Sequence, residues 1–156
     1  MEPTSPVIAR RRVLVGVAGA GAVGLLTQFA ARGAGATPEA AKALLQTLAK
    51  GEPKEGRIAI RAPEIAENGN AVPVTVAVES PMTDKDHVTA IHVVADGNPN
   101  PGVASFTLTP LSGKAEVQIR VRMASTQKIV AVAQMSDGSL WTATREVKVT
   151  IGGCGG

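Results

Sequence analysis

Ten consecutive residues, Lys114 to Met123, alternate without a break between two kinds of side chain. Ala115, Val117, Ile119, Val121 and Met123 are apolar, while Lys114, Glu116, Gln118, Arg120 and Arg122 are polar or charged. A period of two belongs to a strand with one face on a core and one face in water; on a helix these apolar residues would be scattered around the axis. Val72, Val74, Val76 and Val78 repeat the pattern, alternating with Pro73, Thr75, Ala77 and Glu79. Weaker strand signals cover residues 57–62, 88–95, 104–109, 126–135 and 140–151. Ser136-Asp137-Gly138-Ser139 reads as a hairpin turn, with Asp137 and Gly138 expected in left-handed conformations. Seven short strands separated by turn signals predict an all-β fold, an immunoglobulin-like antiparallel β-sandwich over residues 57–151.

One short helix is expected before the strands. Thr37 suits the cap position, Pro38 the first turn, and Glu39 the positive end of the helix dipole. Ala41, Leu44, Leu45 and Leu48 fall on one stripe, and Gly51 and Pro53 stop the helix. Residues 37–56 are therefore read as helix and linker, with Glu52 to Gly56 as the polar link.

The chain begins differently. Arg10, Arg11 and Arg12 precede a glycine- and alanine-rich apolar run to Ala31, and Ala34-Gly35-Ala36 gives a small-x-small cleavage site. A basic start, an apolar middle and such a site form an export signal over residues 1–36. The arginine pair followed by Val13 and Leu14 resembles the twin-arginine signal of bacteria, with valine where phenylalanine is preferred. The glycines and Gln28 argue against a membrane anchor, so the mature form is expected to have no membrane span and to reside in the periplasm.

Removing the signal changes the charge balance. The whole chain has 16 basic and 13 acidic residues. Four of the arginines and one glutamate lie in residues 1–36, which leaves the mature part neutral. A neutral domain with 2% aromatic residues offers no basic, aromatic-studded surface for nucleic acid.

Conventional catalytic chemistry is hard to find. His87 and His92 are five residues apart with no acidic or cysteine cluster around them, a weak metal signal that reads more simply as edge or surface histidines. Asp84 and Asp86 flank Lys85 in what reads as a solvated turn. Trp141 is expected in the core or an interface. Asn98-Pro99-Asn100-Pro101 reads as a rigid turn, with a partner-facing loop as the alternative. No catalytic residue, metal ligand or cofactor is assigned.

One feature is left. The single cysteine, Cys154, stands between Gly152, Gly153 and Gly155, Gly156 at the end of the chain. One cysteine cannot form an internal bridge, and an exposed thiol in an oxidising compartment is paired between chains or chemically employed. Glycines have no Cβ, so residues 152–156 are expected to form a flexible arm that lets the thiol enter a narrow cleft. No neighbouring cation lowers the thiol pKa and no second cysteine resolves a disulfide, which suits a covalent attachment point better than an enzyme nucleophile. A frayed end with an idle cysteine is the plainer alternative.

The tail Gly-Gly-Cys-Gly-Gly after Val-Lys-Val-Thr-Ile resembles that of SoxY, the substrate-carrier family of the bacterial sulfur-oxidation system. Asn98-Pro99-Asn100-Pro101 with Ala104-Ser105-Phe106, Val121-Arg122-Met123-Ala124 and Gln134 to Gly138 are similar to segments of the same family. The resemblance implies an immunoglobulin-like carrier that is not itself an enzyme. It implies a heterodimer with a small β-sandwich subunit of SoxZ type. It also implies a c-type cytochrome that couples thiosulfate to Cys154, a hydrolase that releases sulfate and, in some organisms, a sulfane dehydrogenase. Cys154–Cys154 disulfides between heterodimers are a further expectation. Two other classes compete. Ubiquitin-like sulfur carriers also end in Gly-Gly but carry sulfur on the last glycine and lack an export signal. A structural sandwich module would use Cys154 only to join chains.

Overall fold

The computed structural model describes residues 37–150; the expected signal segment 1–36 and residues 151–156 lie outside the described residues. Helix α1 spans Pro38–Leu48. The Thr37 hydroxyl accepts a hydrogen bond from the Ala40 N–H at 3.1 Å, satisfying one of the free donors at the helix start. Ala41 and Ala49 are buried and Leu45 is half-buried, four residues apart along one side, whereas Leu48 is 39% exposed. The buried stripe is thus narrower than the sequence suggests. Leu45 and Ala49 pack on Val132 and Leu140, which places α1 on the outer face of the larger sheet. A groove of about 460 Å³ remains between them, lined by Pro38, Ala41, Leu45, Val130 and Val132 among others. Among the described residues no helix is long and apolar enough to cross a membrane.

The strands are β1 (Lys54–Glu55), β2 (Ile58–Arg61), β3 (Ile65–Ala66), β4 (Val72–Val78), β5 (Val88–Ala95), β6 (Gly102–Thr107), β7 (Glu116–Val121), β8 (Gln127–Met135) and β9 (Leu140–Val149). They form two sheets. The smaller has the order β2-β4-β7, all antiparallel. The larger has the order β1-β9-β8-β5-β6, with β3 also paired to β9. The seven longer strands are the seven read from the sequence, and the two sheets are a β-sandwich of immunoglobulin-like order with β6 on the larger sheet.

The alternating patterns set the register. Val72 pairs with Val121, Val74 with Ile119 and Val76 with Val117, so the apolar halves of β4 and β7 share one face. That face meets Ile91, Val93, Ile129, Ala131 and Val147 of the larger sheet in one buried cluster. Glu116, Gln118 and Arg120 are exposed on the other side.

Two expectations change, and one strand is added. Only Gly138 of the Ser136–Ser139 turn has a positive φ, +82°; Asp137 does not. The Gly138 N–H donates to the Met135 carbonyl and the Met135 N–H to that of Ser139. This is a three-residue loop in which glycine alone takes the left-handed position, not a two-residue turn. The Asp137 carboxylate accepts from the Ser139 N–H at 2.8 Å. Hydrogen bonding from Ser139 holds that carboxyl below its ordinary pKa. The expected linker 52–56 contains β1, which runs parallel to the start of β9. β3 runs parallel to the end of β9 at Lys148 and Val149. Two-residue strands have no periodicity to read, so both escape a pattern search.

Candidate functional site: the anchor of the cysteine-bearing tail

Cys154 and its glycines Gly152, Gly153, Gly155 and Gly156 lie outside the described residues; the end of β9 that leads into them does not. β9 holds its place through a core side chain, Val147, which is fully buried. Beyond it each residue is tied by its backbone. The Lys148 N–H donates to the Glu64 carbonyl at 2.9 Å and the Thr150 N–H to that of Ala66 at 3.1 Å. Between them the Val149 N–H turns the other way and donates to the Thr126 hydroxyl at 3.0 Å. The exposed Lys148 and Glu64 side chains add an ion pair at 3.8 Å, a minor contribution at such exposure. The strand is therefore gripped from both edges up to residue 150.

Gly69 closes this corner. Its carbonyl accepts from the Met123 N–H at 2.7 Å. A Cβ there would strike the Met123 carbonyl oxygen and stand 3.0 Å from a Val149 methyl. Any side chain at position 69 would push on the strand that carries the tail.

The loop after β5 reaches the same end of the sandwich, because Ala95 pairs with Ile129 while Gln127 pairs with Val147. Asn98 organises it. Its amide donates to the Arg122 carbonyl at 2.7 Å, and its Oδ1 accepts from the Ala124 N–H and from Gln127 Nε2. Gln127 is 5% exposed, and its Oε1 takes the Gly97 N–H at 2.8 Å. Asp96 accepts from the Lys128 N–H at 2.8 Å. A buried amide with all these partners is a rigid joint between two loops. The rigid-turn reading of Asn98-Pro99-Asn100-Pro101 holds for Asn98, and Pro99 and Asn100 are its exposed tip. Two of the segments singled out in the sequence, residues 98–101 and 121–124, are thus in direct contact beside the strand that leads to the tail.

Sequence reasoning missed Gln127, Thr126 and Ala66 as parts of this anchor. Nothing local marks them: one is a polar residue whose burial is set by Asn98, and the others act through single hydrogen bonds across long sequence separations.

The histidines are not brought together. His87 Nδ1 lies 3.0 Å from the Thr83 carbonyl oxygen, and His92 Nδ1 lies 2.8 Å from the Ser105 hydroxyl on the outer face of β5 and β6. Burial lowers the His92 pKa from its ordinary value. Among the described residues no three histidine, cysteine, aspartate or glutamate side chains are close enough to hold a metal ion. Trp141 is half-buried against the core, and the Arg57 guanidinium lies over its ring at 5.2 Å from the centroid.

Residues 41–154 match the family model described as sulfur oxidation protein SoxY. The chain is 43% identical to the sulfur carrier protein SoxY from Chlorobium limicola f thiosulfatophilum, covering 72% of this chain and 98% of that one with a TM-score of 0.62. A superoxide reductase (neelaredoxin) from Ignicoccus hospitalis shares 22% identity over 72% of this chain and 92% or more of its own, with a TM-score of 0.53. That likeness is one of fold alone. No curated protein matches the chain. With the family match running from the first helix to the tail cysteine, the chain belongs to the SoxY family of sulfur oxidation proteins.

Proposed function

We propose that this protein is a periplasmic sulfur carrier that holds thiosulfate-derived sulfur covalently on Cys154 and presents it to the enzymes of the sulfur-oxidation pathway. The observation that carries the reading is the pairing of a lone cysteine among four glycines with a strand gripped on both edges four residues earlier. A covalent carrier needs one attachment atom, little bulk around it and a firm base. From Thr150 to Cys154 the chain can span at most about 14 Å, enough to enter an active-site channel.

Loading joins the Cys154 sulfur to the outer sulfur of thiosulfate. The two sulfurs together give up two electrons, which a c-type cytochrome partner accepts, and the thiol proton leaves to solvent. A hydrolase then adds water across the bond to the sulfonate group, releasing sulfate and leaving one sulfur on the cysteine as a persulfide. None of these steps asks the carrier for an acid, a base or a metal. A SoxZ-type subunit completes the carrier in this reading, and the twin-arginine signal would export the two as one folded complex.

Intact mass of the exported protein tests the proposal. After thiosulfate oxidation the chain is expected to carry one thiosulfate-derived adduct on Cys154, removable by reductant. An adduct elsewhere, or only the free thiol and its disulfide dimer, would overturn it and leave the chain-linking role.

A further inference from the structure

Past Val147 three successive N–H groups hold the last strand, and one of the three bonds differs in kind. Lys148 and Thr150 donate to the carbonyls of Glu64 and Ala66, main chain to main chain. Val149 donates to a side chain, the Thr126 hydroxyl, at 3.0 Å. The register shows what the hydroxyl replaces. Gln127 pairs with Val147, so a ladder continued by two residues would offer Val149 the carbonyl of Ser125. β8 begins only at Gln127, and the Thr126 hydroxyl stands in for that carbonyl. Among the described residues it is the only side chain that accepts from a β9 N–H.

The hydroxyl is held in place from behind. Asn98 Oδ1 accepts from the Ala124 N–H at 3.3 Å and from Gln127 Nε2 at 3.0 Å, which pins the chain on both sides of Thr126. The grip on the other edge is slight, because β3 is two residues long and its Ile65 is 55% exposed.

We propose that Thr126 is a positioning residue for the cysteine-bearing tail: its hydroxyl fixes where the strand stops and the arm begins. The assignment rests on the carrier reading. With Val149 and Thr150 held, the reach to Cys154 is at most about 14 Å, whereas an arm released back to Lys148 reaches about 21 Å. A longer arm spreads the thiol through a larger volume. Once an enzyme has docked, the concentration of thiol at its channel then falls about two- to threefold. Docking on the unchanged sandwich is not affected. Little folding stability depends on the bond, since Thr126 is exposed and the Val149 N–H can turn to water in its absence.

The test compares Thr126→Val, which keeps the shape of the side chain and loses the hydroxyl, with Thr126→Ser, which keeps the hydroxyl. Both are made in the full exported protein, with its partner subunit where one co-purifies. Melting temperature should stay at the native value in both. In Thr126→Val, hydrogen exchange at the Val149 N–H should quicken about tenfold. Loading with thiosulfate by the c-type cytochrome should lose about two- to threefold in kcat with KM unchanged. Alkylation of Cys154 by a small reagent should keep its native rate, and Thr126→Ser should restore both exchange and kcat. Quickened exchange with native kcat, a loss confined to KM, or a serine variant as slow as the valine variant overturns the assignment and leaves the carrier reading intact. A native chain that takes up no sulfur on Cys154 overturns the carrier reading, and this assignment with it.

Discussion

Gln127 and Gly97 show what one residue can fix in this sandwich. The Gln127 amide is nearly fully buried yet bonded to both Gly97 and Asn98. Gly97 has no room for a Cβ, which would lie 2.7 Å from that of Gln127. From the sequence, Asn98-Pro99-Asn100-Pro101 announces a turn, but not that Gln127 holds it. His92 allows a prediction at the same scale. Burial favours its neutral form, so the folded pKa lies below the ordinary 6.5. The unfolded chain therefore binds more protons below that value. Stability from this group is complete above pH 6.5 and is lost as pH falls through the folded pKa. Asp137 acts in a more acidic window, since its pKa is depressed from 3.8 and its contribution is lost only as pH falls below that. Urea midpoints measured between about pH 5 and pH 7 should rise with pH in the native protein. They should rise less steeply in His92→Gln, with His87 common to both. Parallel slopes would mean that His92 is as free to protonate in the fold as out of it.

At the scale of elements the long strands were legible because a half-buried strand writes its two faces into the sequence. The β4 and β7 alternations predict strands and the face that each residue takes, and Val76 and Val117, paired across the two strands, do share the core face. The helix start was legible through Thr37 for a similar reason, since its cap is local. The parallel strands β1 and β3 were not, and neither was the single left-handed residue of the β8–β9 turn. In that turn the hydrogen bonds choose between two loop lengths that share the same Asp-Gly signature. The register supports a contrast. Val76 is fully buried, so Val76→Asp places a carboxylate in the core with no partner, at a cost of several kcal/mol, enough to unfold a domain of this size. Gln118→Ala, one strand away on the water face, should change stability by no more than about 0.5 kcal/mol. Chemical denaturation followed by circular dichroism measures both, and comparable losses would indicate a register displaced by one residue.

For the whole molecule the proposed carrier reading separates a rigid body from a short chemical end. The sandwich takes β9 from its core, ties it to β3 on one side and to Thr126 on the other, and delivers it at residue 150 beside the Asn98 joint. The tail stands out most in the sequence, because Cys154 is the single cysteine of the chain and lies among four glycines. Its anchor was the least readable, because it is assembled from single hydrogen bonds across long sequence separations. This division predicts that loading and thiol reactivity can be uncoupled. Cys154→Ser should keep the melting temperature of the native protein and abolish loading, since a hydroxyl cannot form the sulfur–sulfur bond. Gly153→Val and Gly155→Val keep the thiol, and a small alkylating reagent should modify it at close to the native rate. A β-branched side chain beside the sulfur restricts the backbone and adds bulk that a narrow enzyme channel must accommodate. Enzymatic loading with thiosulfate should therefore slow by about tenfold or more, a barrier increase of roughly 1.4 kcal/mol. The two rates, measured side by side on each variant, decide the matter: if both valine variants load as fast as the native chain, the glycines do not serve access to partner enzymes.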